Sequence, residues 1–380
     1  MPKTTIATAT PLRTELDRLA GFPPTTWPVL SLYLDMRPDQ SGRRNHDIFL
    51  RKVFPERSRT MHGDTRKSFD RDVQRIHAYL ESEVAPSVRG LALFACSGAD
   101  GFFQAFQLAA AFDDYSLFTG SLPYLYPLAR ATDQYPAYAA LLVDTNSARL
   151  FVFRLGRRDA HEQVTNVKTR RGSFGGWSQA RYQRHCDNFY LLHMKEVVAT
   201  LDRVVRAEAL AHIVTAVEGT ARPFLMDQLP KHLAEKVIRV LHLPVSTPEH
   251  DVLAETLDAM REHDAKTDAE RVQAMIDASA AEGRAVLGAA ATLYALAAGQ
   301  VEELIIAARP GVLSLPQSLA QDSNRFAVDS TTPQADAKRL ELAGELVARA
   351  QRNAARIRFI EDSALLGTVG GVGAILRFRA

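Results

Sequence analysis

Two adjacent glycines flanked by arginines form the stretch of this chain best suited to chemistry. Residues 170–184 read RRGSFGGWSQARYQR, and from Lys168 onward no acidic residue appears until Asp187. Gly175 and Gly176 let the backbone take positive φ and come close to a ligand without Cβ interference. A long helix is expected directly after them, so unpaired N–H groups and the positive end of the helix dipole face the segment. With Arg170 and Arg171 on one side and Arg181 and Arg184 on the other, these features suit a phosphodiester backbone. A second reading of the same residues is local. Ser178 is a good N-cap, and Trp177 before it pairs with Tyr182 as a hydrophobic staple, which makes Gly175-Gly176 a tight entry turn. The two readings are compatible, because a functional loop needs a fixed helix start.

Other chemistries find less support. No Walker A pattern occurs, and the terminal GTVGGVG precedes a strand rather than opening a helix, which points to a turn or bulge in a closing sheet. His185 and His193 lie eight apart on the expected helix and have no spaced partner for a metal. Asp144 ends a strand and reads as a turn former. Cys96 and Cys186 are the only cysteines and lack metal-type spacing, which fits a reduced, cytoplasmic setting. No cofactor and no metal are implied.

With 380 residues, 46% hydrophobic and 24% charged, the chain reads as a soluble globular protein of more than one domain. No apolar run approaches the roughly 20 residues of a membrane span, and the first residues lack the apolar core of a signal peptide. A net charge of +2 means that any nucleic-acid contact must come from local clusters. A second basic stretch, from Arg37 to Arg75, is diluted by acids.

Three blocks position these residues, and the fold class is α/β. In the first block, strands are expected at 29–36, 90–96 and 102–108, the last two joined by a turn at 97–101. Residues 124–128 suggest a further strand. Phe69, Val73, Ile76, His77 and Leu80 recur at helical spacing, and Pro86 ends that helix. The second block starts near Tyr135 with strands at 139–144 and 148–154, paired across Thr145-Asn146-Ser147. The long helix follows the glycine segment, with Tyr190, Met194, Val197, Val198, Leu201, Val204 and Val205 on one face. Then come a strand at 211–217, a helix at 223–237 and a strand at 238–243, a pattern that predicts a mixed sheet. Residues 246–281 are polar and helical, a hinge plus the first helix of the third block. Helices at 288–298 and 333–353 and strands at 301–307 and 356–360 complete an α/β/α layer, closed by the glycine-rich C-terminus.

The run GGWSQARYQR resembles the peptidyl-tRNA-cleaving loop of archaeo-eukaryotic class I release factors, in which Gly-Gly-Gln-Ser and a small residue precede Arg-aromatic-x-Arg. Gly175, Gly176, Ser178, Arg181, Tyr182 and Arg184 match position by position, and Trp177 stands where the family has its catalytic glutamine. The closing Gly370-Gly371-Val372-Gly373-Ala374-Ile375-Leu376-Arg377-Phe378 is similar to the family's last motif, and residues 288–306 resemble the opening of its third domain. The chain is thereby identified as a bacterial member of the release-factor and Pelota-like superfamily.

That resemblance implies three domains: an N-terminal α/β domain at 1–134, a ribonuclease-H-like central domain at 135–248 and a Pelota- or L7Ae-like domain at 249–380. It implies entry into the ribosomal A site, with rRNA and P-site tRNA as partners and a translational GTPase on the third domain. In the family, water attacks the ester joining peptide to tRNA. Backbone N–H groups of the glycines stabilise the developing charge, and the glutamine places the water. Here Gly175, Gly176 and Gln179 are the catalytic candidates; Gln179 projects to the same side as Trp177 if the backbone there is extended. Arg170, Arg171, Trp177, Ser178, Arg181, Tyr182 and Arg184 are the RNA-binding candidates, with Trp177 able to stack on a base. Trp177 has no acceptor with which to hold water. A non-catalytic, Balon-type hibernation factor occupying the A site is therefore the alternative. No Asn-Ile-Lys-Ser segment occurs near residues 50–70, so reading of a stop codon is not implied.

Overall fold

A computed structural model describes residues 12–154, 157–165, 177–316, 326–327 and 334–378, and for 157–165, 177–187 and 326–327 the backbone alone. The chain divides into two compact units, one of Met1–Gln134 with Ala265–Ala380, the other of Tyr135–Asp264.

The first part of the discontinuous unit contains α1 (Leu12–Ala20), β1 (Val29–Asp35), α2 (His46–Arg59), α3 (Gly63–Ser82), β2 (Gly90–Cys96), β3 (Phe102–Leu108), β4 (Ser116–Gly120) and α4 (Tyr126–Gln134). β4, β1, β2 and β3 form an antiparallel sheet in that order. β1 and β2 are apolar almost throughout because both faces are covered. Leu30, Leu32, Leu34, Leu91 and Leu93 pack against Leu50, Val53, Phe54, Phe69 and Ile76 of α2 and α3. On the opposite face Tyr33 meets Phe94, Phe112 and Phe118 edge-on.

The strand expected at 124–128 does not form. Tyr124 donates its N–H to Ser31 Oγ at 2.9 Å, and its carbonyl accepts the Tyr33 hydroxyl. Side chains thus take the backbone groups that a strand partner would need, and Pro127 suits the first turn of α4. The fourth strand is β4 instead.

The continuous unit contains β5 (Tyr138–Val143), β6 (Ser147–Arg154), β7 (Arg157–Thr165), α5 (Trp177–Ala207), β8 (His212–Val217), α6 (Arg222–Gln228), α7 (Lys231–Ala234) and β9 (Val237–Leu241), and the first half of α8 (Glu249–Ala280). Its sheet has the order β7-β6-β5-β8-β9, antiparallel from β5 through β7 and parallel from β5 through β9. This is the mixed, ribonuclease-H-like arrangement. α5, α6 and α7 cover one face through Met194, Val197, Leu201, Leu225 and Leu233. α8 covers the other through Val252, Ala259 and Met260. The single helix expected at 223–237 is two, broken at Leu229, whose extended ψ of 115° is what a following proline favours.

The remainder of the discontinuous unit comprises the second half of α8, β10 (Ala285–Leu287), α9 (Ala289–Ala297), β11 (Val301–Ala307), β12 (Phe326–Ala327), α10 (Gln334–Arg352), β13 (Arg356–Ile360) and β14 (Val372–Leu376). β10, β14, β11 and β13 make a second sheet, with β11 and β13 parallel. The terminal glycines act as the sequence suggests. Gly370 and Gly371 hold φ of +74° and +81° in the turn before β14, and a Cβ on Gly373 would lie 2.6 Å from Met275 Sδ of α8.

Two ends of the chain build this unit jointly. β12 adds to the first sheet beside β4. Tyr126 donates its hydroxyl to the Ala307 carbonyl at 2.5 Å, and Tyr124 donates to Leu340 at 2.8 Å. Arg130 pairs with Glu361 at 3.1 Å and with Asp113 at 2.7 Å.

Candidate functional site

The glycine–basic segment connects the last antiparallel strand of the central sheet to its longest helix. β7 ends at Thr165 and α5 begins at Trp177. Arg170, Arg171, Gly175 and Gly176 lie outside the described residues. Trp177, Ser178, Gln179, Arg181, Tyr182 and Arg184 occupy the first turns of α5. Helical periodicity puts Trp177, Arg181 and Arg184 on one face, at i, i+4 and i+7.

The helix start differs from the N-cap reading. α5 runs from Trp177, so Ser178 stands inside its first turn and not before it. Gln179 is a helical residue too. The extended backbone that would project Gln179 to the same side as Trp177 is not what this stretch adopts, since helical residues two apart do not face the same way.

The core holds α5 by its C-terminal half. Met194, Val197, Leu201 and Val205 are buried against β5, β6 and β8, and Tyr190 meets Phe224 at 5.7 Å between ring centroids. Trp177 precedes Tyr190 by 13 residues, roughly 20 Å of helix at the usual rise.

His193 fixes the middle of α5 to the β5–β6 turn. The ring is 1% exposed and hydrogen-bonded to the backbone of Ser147 and Asp144. Burial lowers its pKa from the ordinary 6.5, against the opposing pull of those carbonyls and of Asp144 and Glu196. Asp144 shapes the turn itself, accepting the N–H groups of Asn146 and Ser147, each at 2.7 Å. His193 and Asp144 are thus packing and turn residues.

Cys96 is buried, and burial pushes its thiol up to about 11, which makes it a poor nucleophile. Among the described residues, no group of three or more acidic, histidine or cysteine side chains could hold a metal, and no helix is long and apolar enough to cross a membrane.

Residues 123–261 match the family model described as bacterial archaeo-eukaryotic release factor family 10. No curated protein matches significantly. Among solved structures, the chain is similar to an archaeal translation termination factor, aRF1, at 18% identity over 97% of this chain and 96% of that one, with a TM-score of 0.25. It is similar to Saccharomyces cerevisiae Dom34, a translation termination-like factor interacting with Hbs1, at 12% identity over 77% and 80% of the two chains, with a TM-score of 0.43. A ribosome-bound archaeal Pelota resembles it at 13% identity over 97% and 94%, with a TM-score of 0.40.

Proposed function

We propose that this chain is a ribosome-associated translation factor that occupies the A site and presents residues 170–184 to the peptidyl-tRNA. The supporting observation is the placement of the segment. It enters the N-terminus of a helix whose other half is anchored in a release-factor-family domain. Arg170, Arg171, Ser178, Arg181 and Arg184 contact RNA phosphates, and Trp177 and Tyr182 stack on bases. Residues 1–134, 135–248 and 249–380 serve as three functional domains, the last docking a translational GTPase.

In the catalytic form of this function, the N–H groups of Gly175 and Gly176 stabilise the oxyanion formed when water attacks the peptidyl-tRNA ester. Gln179 supplies the amide that orients the water. The start of α5 at Trp177 favours the second form, a non-catalytic A-site occupant. Trp177 has no acceptor for water, and Gln179 lies in helical and not extended backbone.

Peptide release from ribosome-bound peptidyl-tRNA separates the two. Hydrolysis by the wild type that falls about a hundredfold in both Gly176→Ala and Gln179→Ala establishes the catalytic form. Ribosome co-sedimentation without release establishes the occupant. Release that survives both substitutions excludes this segment as the catalyst, and failure to co-sediment overturns the whole reading.

A further inference from the structure

α5 is gripped at one end and carries the glycine–basic segment at the other. Among residues 188–207, His193 is the first whose side chain is buried, and the apolar residues that pack on the central sheet, from Met194 to Val205, all follow it. Before it, Asn188 and Leu192 are exposed, and Tyr190 is half-buried against Phe224 of α6. His193 therefore stands at a fulcrum. Trp177 precedes it by 16 residues, a lever arm of roughly 24 Å at the usual helical rise. A tilt of about 5° at His193 moves the start of α5 by roughly 2 Å.

The contact at the fulcrum is directional. Apolar packing has no preferred angle and tolerates small rotations of a helix. The His193 ring is instead hydrogen-bonded to the backbone carbonyls of Ser147 and Asp144 in the β5–β6 turn, and a hydrogen bond weakens steeply as it bends. The turn itself is tightly braced. The Asp144 carboxylate accepts the N–H groups of Asn146 and Ser147 and the Ser147 hydroxyl, the last at 3.0 Å, and the Asp144 N–H donates to the Ser147 carbonyl at 2.9 Å. It joins β5 to β6, both internal strands of the five-stranded sheet. An apolar side chain at 193 would fill the same space without a bond to this turn.

We propose that His193 is the positioning residue of the glycine–basic segment: its hydrogen bonds to the β5–β6 turn set the direction in which α5 presents its N-terminus. The inference rests on the translation-factor reading for what the segment does, and on these contacts alone for how it is aimed. Asp144 acts with His193 because it shapes the surface on which the ring sits. Misplacement by about 1 Å costs on the order of a hundredfold in a reaction that depends on near-attack geometry. RNA contacts made from Arg181 and Arg184 share the same displacement, so the aim matters to a non-catalytic occupant as well.

The test uses the full chain and reads direction before function. Nitroxide labels at Gln183→Cys in α5 and Glu218→Cys just past β8, with Cys186→Ala, give a distance by double electron–electron resonance. Cys96 is buried and takes no label. Glu218 is a fixed reference, since its N–H donates to Val143 beside the turn. The parent is expected to give one narrow distribution. His193→Leu, similar in size but without a donor, is expected to broaden it or shift its mean by about 2 Å. Asp144→Ala, which loosens the turn, is expected to do the same, and His193→Asn, which restores a donor, to return it toward the parent. Val197→Ala weakens the same core away from the turn and is expected to lower Tm with the distance unchanged. Ribosome co-sedimentation of the unlabelled proteins is expected to fall at least tenfold in His193→Leu and to recover in His193→Asn.

An unchanged distribution in both His193→Leu and Asp144→Ala overturns the proposal, as does equal broadening in Val197→Ala. A broadened distribution with full ribosome association also overturns it, because the aim then carries no function. Broadening that His193→Asn corrects, in a protein that never sediments with ribosomes, keeps the positioning role and ends the translation-factor reading. Sedimentation that Arg181→Glu, Arg184→Glu abolishes, with distances unaltered in His193→Leu, keeps that reading and ends the positioning role.

Discussion

The carboxylate of Asp133 in α4 accepts the backbone N–H of Phe359 in β13 at 2.8 Å, across 226 residues of sequence. β13 is an edge strand of its sheet, and an edge presents unpaired backbone groups. Asp133 satisfies one of them from an element that the other end of the chain supplies. Tyr126, packed edge-on against the Phe359 ring at 5.1 Å, closes the same junction.

Asp133→Ala is expected to destabilise the discontinuous unit by about 1–3 kcal/mol, because it leaves the Phe359 N–H without its acceptor. Chemical denaturation of the full chain measures this. Asp133→Asn, which keeps a carbonyl oxygen, is expected to recover part of the loss. Equal effects of the two substitutions would mean that charge, not the hydrogen bond, matters at this position.

Gly344 in α10 is expected to reject a side chain. A Cβ there would lie 2.3 Å from the Tyr124 ring, and that ring is stacked on Phe118 with centroids 3.8 Å apart and cannot retreat. Gly344→Ala should therefore cost about 1–3 kcal/mol by overpacking, despite the better helix propensity of alanine. Gly367→Ala, where nothing lies within 4 Å of the added Cβ, is the matched control. Thermal unfolding of both variants reads the difference.

His193 makes the continuous unit sensitive to pH. Burial lowers its folded pKa below 6.5, so the folded state binds a proton less readily than the unfolded chain. Stability from this group is present above the unfolded pKa and is lost as pH falls from about 6.5 through the folded value. Unfolding free energies measured between neutral and mildly acidic pH should show this loss. His193→Asn keeps a donor and cannot ionise, so its curve should be flatter over that window. An unchanged slope would assign the pH dependence to another group.

Arg181 and Arg184 share a helical face with Trp177, so their effects on RNA contact should be cumulative. The double variant Arg181→Glu, Arg184→Glu is expected to weaken ribosome co-sedimentation and to lower its salt slope by roughly two units. Loss of affinity without a change of slope would point to a contact other than phosphate.

What could be read from the sequence was local and periodic. The strands Gly90–Cys96, Phe102–Leu108, Val301–Ala307 and Arg356–Ile360 are apolar or alternating segments bounded by turns, and the fold keeps them at those bounds. The resemblance of residues 170–184 to a release-factor loop was legible because it rests on residue identity at fixed spacing, and the family match across 123–261 agrees with it. β7 was not legible, because RRDAHEQVT lacks alternating apolar residues. It is a strand because β6 offers it a partner along its full length.

Tertiary structure alone decided three matters. It turned residues 124–128 into a helix entry, because Ser31 and Tyr33, more than ninety residues away, take the Tyr124 backbone groups. It gave Arg44 and Arg75 of the second basic stretch to the backbone carbonyls of Pro86 and Gly101, since a cation's partner depends on which groups meet in space. It also joined the two ends of the chain into one unit through contacts such as Asp133 with Phe359. Sequence periodicity reports which face of an element is apolar; which distant face covers it is set by packing.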